Sequence, residues 1–281
     1  MRILVVPSGF KESLGAKEAA DVMKEGILKV MPLATVETLP MVDGGEGFTE
    51  TIINITGGKM YKVQVMGPVG DEIQSYFGVF ETRNGERTAV IEMAAAAGLR
   101  LVPRDLRDPR KTTIHGVGQL IELALNKGVD RILIGCGDSG TSDGGAGLEA
   151  LIGATLHPRY DIIMKYMDLN KLLLKCDLVF TAEGSIDFQT PRGKIPAEVA
   201  KCAKRYGLPV IALVGTVGKG ARINYDYGID AYTSILPMPS SLENAFSNAE
   251  KWLRDCTEST MRTVLVGYQI ASRLNKSGYV S

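Results

Sequence analysis

The chain has 281 residues, 45% of them hydrophobic, which is enough for one large or two modest globular domains with true cores. Lys plus Arg and Asp plus Glu each number 32, so the formal net charge is zero and the basic excess of a nucleic-acid binder is absent. The four cysteines (Cys136, Cys176, Cys202, Cys256) follow no zinc spacing, no apolar stretch reaches membrane-spanning length, and residues 1–7 are too short for a signal-peptide core, so a soluble cytoplasmic protein with reduced thiols is expected.

Residues 3–6 form a short β-branched run that reads as a buried strand. It leads into Pro7-Ser8-Gly9-Phe10-Lys11-Glu12-Ser13-Leu14, a loop carrying Ser8 and Lys11. A helix is expected over 16–30, with Ala19, Ala20, Met23, Ile27 and Val30 on one face. Residues 36–42 read as a second strand that runs straight into Asp43-Gly44-Gly45-Glu46-Gly47. A helix over 47–55 follows, closed by Gly57-Gly58. This strand-loop-helix alternation is the signature of a parallel sheet.

The pattern then changes. Residues 59–65, 74–80 and 88–92 are strand-like, with turns at Gly67-Pro68 and Asn84-Gly85, and read as an antiparallel meander. A small apolar run ends at Gly98, and a helix over 113–126 leads to a strand at 131–136 and a second glycine loop, Gly137 to Gly147. Alternation returns with a strand at 177–181, a third loop from Glu183 to Lys194, and a helix over 195–206 with Pro196 in its first turn. Strands at 209–214 and 231–236 and a long helix from Leu242 complete the chain.

The strands at 3–6, 36–42, 177–181, 209–214 and 231–236 combine into a five-stranded flavodoxin-like parallel sheet. The fold class expected is α/β. The sheet domain is discontinuous, over 1–58 and 158–281, and a mixed α/β domain is inserted over 59–157. In such architectures ligands sit at the carboxyl ends of strands and between domains, and all the loops named above fall at strand carboxyl ends.

Glycine lets backbone approach a ligand closely, and successive N–H groups in glycine loops form nests for phosphate oxygens. Carboxylates in the same loops would repel phosphate unless a cation lay between, so loops combining glycine, acid and lysine point to a Mg²⁺-bridged phosphate site. Phosphoryl transfer needs charge neutralisation, alignment and a group that orients the attacking hydroxyl, and this residue set can supply all three. Competing motifs fail on context. Gly135-Cys136-Gly137-Asp138-Ser139-Gly140 has dinucleotide-fingerprint spacing, but no helix can open before Gly147. Gly137-Asp138-Ser139-Gly140 is followed by Thr141 and is not a nucleophile elbow. His115 and His157 read as a helix-start residue and a connection residue, and no Walker P-loop occurs.

In order along nearly the whole chain, these segments resemble the bacterial glycerate kinase family. The matching stretches are Pro7 to Leu14, Met41 to Gly47, Ile91 to Leu99, Asp108 to Gly118, Gly135 to Gly147, Glu183 to Lys194 and Ile235 to Glu243. The resemblance implies ATP-dependent phosphorylation of D-glycerate, with 2-phosphoglycerate the favoured product, ATP and Mg²⁺ as cofactors, and no nucleic-acid or membrane partner; a homodimer is compatible with it. On this reading Lys11, Asp43, Asp187 and Lys194 are catalytic, the lysines neutralising phosphate or carboxylate and the acids holding Mg²⁺ or orienting the hydroxyl. Ser8, Gly44, Gly45, Glu46, Gly137, Asp138, Ser139, Gly140, Thr141, Gly144, Gly145 and Gly184 bind substrate or phosphate, and Asp143 joins Asp187 at the metal. The substrate is expected in the cleft between the two domains. One departure stands out: family members carry a further segment between the second and third glycine loops, and this chain lacks it. That gap keeps open a kinase-like sensor of glycerate or nucleotide without turnover, and a kinase for another small hydroxy acid.

Overall fold

The computed structural model describes residues 1–10, 13–42, 44–108, 110–140, 155, 157 and 169–276. In chain order its strands are β1 (Arg2–Pro7), β2 (Thr35–Thr38), β3 (Lys59–Met66), β4 (Glu72–Glu81), β5 (Arg87–Glu92), β6 (Arg131–Gly135), β7 (Leu178–Ile186), β8 (Val210–Val217) and β9 (Ala231–Ser234). The helices are α1 (Ala16–Val30), α2 (Phe48–Thr56), α3 (Ala94–Ala97), α4 (His115–Leu125), α5 (Leu169–Leu173), α6 (Ile195–Lys204) and α7 (Leu242–Lys276). They divide into two compact units, Met1–Met41 with Leu169–Ser281, and Val42–Asp168.

The first unit is built on a five-stranded sheet in the order β2-β1-β7-β8-β9, with every pair parallel. This is the flavodoxin-like order, whose switch point lies between β1 and β7. Residues Ile3 to Pro7 of β1 are all buried, as a parallel strand covered on both faces requires. Ile3 pairs with Leu178 and Val5 with Phe180, and these side chains form one core with Met23, Ile27, Leu213, Leu253 and Met261. Helix α1 presents its apolar stripe to that core. Its start is held by the Gly15 N–H, which donates to the Glu18 carboxylate at 3.0 Å.

The ends of β2, β7 and β8 each lie several residues from those read in the sequence. Strand β2 ends at Thr38 rather than at 42. The Leu39 and Met41 N–H groups still donate to the Val5 and Pro7 carbonyls, each at 2.8 Å. Strands β7 and β8 run on to Ile186 and Val217, with Ser185 opposite Thr216 and Ile186 opposite Val217. Glu183 and Gly184, expected in a loop, are therefore strand residues. Their polar and glycine character reads as turn chemistry, and the parallel pairing to β8 overrides it.

The second unit holds a four-stranded sheet in the order β3-β4-β5-β6, antiparallel except for the parallel pair β5 and β6. The meander read in the sequence is β3 to β5. Its core gathers Val65, Phe77, Ala89, Ile91, Val117, Leu120 and Ala124, and the Tyr61 ring stacks on Phe77 with centroids 5.2 Å apart. The sequence reading set the domain limits at 58/59 and 157/158, whereas the compact units part at 41/42 and 168/169. At the first limit the reason is helix α2, which packs on β4 and β5 with Ile53 lying over Gly78.

Candidate functional site

The described candidates form two groups, one in each unit. In the second unit the glycine-acid turn Gly44–Gly47 lies against the end of β6. The Gly137 N–H donates to the Gly44 carbonyl at 2.9 Å. A Cβ on Gly137 would stand 2.5 Å from the Gly45 nitrogen, so only glycine permits this approach of two backbones. Part of the glycine content that suggests phosphate binding is thus needed for loop-on-loop packing.

The acids of this group also hold the turn in place. The Glu46 N–H donates to Asp138 Oδ2 at 3.4 Å, and the Glu46 carboxylate is ion-paired to Arg100. Asp138 adopts φ of 51°, the only positive value among the described non-glycine residues. Such conformations cost energy, although Asp tolerates them better than most residues, and they gather at functional sites. Beyond it, Ser139 bridges to Gly98, and the Gly140 N–H donates to the Ala97 carbonyl at 2.8 Å.

Sequence reasoning missed Glu92 at the end of β5. It is 1% exposed, and its carboxylate accepts N–H groups from Gly47 at 3.3 Å and Thr49 at 2.9 Å and the Tyr76 hydroxyl at 2.7 Å. Burial pushes its carboxyl above the usual range, the three donors pull it back, and the charge of Glu46 adds to the rise. Burial, followed by the charge of Glu92, also raises Tyr76. The signal was available in the sequence: a lone carboxylate inside the apolar run Ala89 to Ala97 must be paired if it is buried.

In the first unit the candidates sit at the carboxyl ends of β1 and β7, the two sides of the switch point. Ser8 is buried, and both its N–H and its hydroxyl donate to the Ala182 carbonyl, at 2.8 and 3.0 Å. Asp187 follows β7 directly. Its N–H donates to Thr190 Oγ1 at 3.0 Å, and its Oδ1 accepts the Gln189 N–H at 2.8 Å. The Asn224 amide donates to the Asp187 carbonyl at 3.0 Å. Lys194 Nζ lies 3.7 Å from Asp187 Oδ1 and 3.4 Å from the Ser185 carbonyl, with both charged side chains 23% exposed. The sequence-predicted pair Asp187 and Lys194 is therefore brought together. Gly184 lies within β7.

Lys11, Asp43, Thr141, Asp143, Gly144 and Gly145 lie outside the described residues. Among the described residues, no group of three or more His, Cys, Asp or Glu could hold a metal ion. Mg²⁺ needs no such cage, since it keeps several waters and takes one or two carboxylates together with substrate phosphates. Asp187 fits that mode: its side-chain bonds and ion pair among the described residues all use Oδ1, which leaves Oδ2 as a hard oxygen donor. No helix among the described residues is long and apolar enough to cross a membrane.

The sequence model of the glycerate kinase family matches residues 3–151 and 145–265. Glycerate kinase of Bacillus subtilis (strain 168) is 30% identical over 386 aligned positions, covering 98% of this chain and 99% of that protein. Glycerate 2-kinase of Escherichia coli (strain K12) is 28% identical over 384 positions, covering 96% of this chain and 100% of that protein. A crystal structure assigned as glycerate kinase 2 from Salmonella typhimurium LT2 superimposes with a TM-score of 0.72 at 28% identity, covering 96% of this chain and 99% of that one. The sequence alignments are longer than this chain of 281 residues, so these relatives carry positions with no counterpart in it. The two stretches matched by the family model meet at 145–151, beside the gap noted in the sequence. With matches across almost its full length and the same two-sheet α/β fold, the chain belongs to the glycerate kinase family and is a kinase.

Proposed function

We propose that this chain transfers the γ-phosphoryl group of ATP to a hydroxyl of D-glycerate in the presence of Mg²⁺, giving phosphoglycerate, with the 2-phosphate favoured. The observation that carries the reading is the Asp187–Lys194 pair at the carboxyl end of β7, beside the switch point. Lys194 supplies a compact positive charge for the transferring phosphoryl oxygens. Asp187, oriented by the Gln189 N–H, holds the acceptor hydroxyl or the metal. The substrate oxygen attacks the γ-phosphorus, its proton passes to a carboxylate, and ADP leaves with the bridging oxygen's electron pair. Bound Mg²⁺ would neutralise the β- and γ-phosphate oxygens, with Asp187 Oδ2 as one ligand and Asp143 as the second candidate. Lys11 and Asp43 keep the roles expected of them from the family resemblance. The turn Gly44–Gly47 and the residues Gly137–Gly140 are proposed to bind substrate or phosphate.

An ADP-release assay tests the reading. ADP is expected only when D-glycerate, ATP and Mg²⁺ are all present. A second reading, a sensor without turnover, is favoured by the family segment this chain lacks; tight binding of glycerate or ATP with no ADP formed would support it. A panel of small hydroxy acids in the same assay separates glycerate from another acceptor.

A further inference from the structure

Glu92 has no part in the chemistry above, yet among the described residues it is the carboxylate most completely enclosed in the second unit. A buried carboxylate is costly unless donors satisfy it. Here three donors from three places converge on it: Tyr76 of β4, the Gly47 N–H at the foot of the glycine-acid turn, and the Thr49 N–H in the first turn of α2. Capping α2 alone would need only an exposed Ser, Thr or Asp at its N-terminus. Instead the acceptor comes from the neighbouring strand and also reaches Gly47, the residue at φ of 83° where the turn becomes helix. Gly44, Glu46 and Gly47 are thereby tied by their backbones to Gly137, Asp138 and Glu92 in turn.

We infer that Glu92 is a positioning residue for the glycine-acid turn Gly44–Gly47, fixing through the Gly47 N–H how that turn leaves helix α2. The inference rests on the proposed role of the turn in binding substrate or phosphate. The titratable groups facing the Glu92–Tyr76 pair are Glu46 in the turn and Glu50 on α2.

Glu92→Gln is the test. Gly47 and Tyr76 share Oε1 while Thr49 uses Oε2, so glutamine, which keeps the shape but has one acceptor oxygen, must leave either the Gly47 or the Thr49 N–H facing an amide donor. The expected result is a fall in kcat/KM of about 10- to 100-fold, carried by kcat, as for small misplacements of substrate-holding groups. The melting temperature at pH 7.5 should hold or rise. The sign follows from burial: a carboxyl raised in the folded state contributes stability that is fully present below its unfolded pKa and lost as pH rises through the folded value. Glutamine removes that loss at neutral pH. Amide exchange at Gly47 or at Thr49, whichever loses its acceptor, should accelerate by about tenfold or more. Tyr76→Phe, which leaves both N–H acceptors in place, should change kcat/KM by less than about threefold. Unchanged exchange at both Gly47 and Thr49, full activity in the Gln variant, or activity and melting temperature falling together would overturn the inference. A wild-type chain without turnover counts against the proposed function instead; the Glu92 assignment then stands or falls on the exchange at Gly47 and Thr49.

Discussion

Asp187 keeps different partners from the acids around the glycine-acid turn. Glu46 is held by Arg100, Glu92 by three donors and Asp138 by the Glu46 N–H, whereas Asp187 turns one oxygen to Lys194 and the Gln189 amide. Asp187→Asn should therefore lower turnover by about 100-fold or more while far-UV circular dichroism is unchanged; near-normal turnover would remove Asp187 from the site. Cysteine chemistry should be silent. Burial pushes the Cys176 thiol up to about 11, so little thiolate exists at pH 8 and alkylation of the native protein should be slower than that of a free thiol. Fast native labelling of Cys176 would contradict this. At this scale the sequence singled out Asp187 and Lys194 from one glycine-containing stretch, and they lie 3.7 Å apart. It was a poor guide to Glu92 and Arg100, whose roles depend on partners 45 and 54 residues away.

At the scale of elements, hydrophobic periodicity located most strands and helices, and pairing decided where they end. Strand β7 outruns its apolar segment because β8 continues beside it, and β2 ends at Thr38 although Leu39 and Met41 still donate to β1. Helix α2 reads as part of the parallel sheet domain, since strand-loop-helix order is all the local sequence shows, yet its buried face belongs to the other sheet. Helix-on-helix packing gives a direct test. Gly26 of α1 meets α7 so closely that a Cβ would stand 2.9 Å from the Arg254 carbonyl oxygen and from Thr257 Cβ. Gly26→Ala gains up to about 1 kcal/mol of helix propensity but overpacks this contact by about 1–3 kcal/mol. A lower melting temperature is expected; a higher one would mean the two helices part without cost.

For the whole molecule, family membership and the strand order β2-β1-β7-β8-β9 support each other: the fold sets a switch point, and the Asp187–Lys194 pair stands beside it. The relatives reach their similarity over alignments far longer than this chain, so the kinase chemistry proposed here must be carried by a shortened frame. The most direct measurement is ³¹P NMR of the intact chain incubated with D-glycerate, ATP and Mg²⁺. The account predicts loss of the γ-phosphate resonance with growth of ADP and of a phosphomonoester signal matching 2-phosphoglycerate. An unchanged ATP spectrum, in a sample shown to bind both ligands, would contradict it.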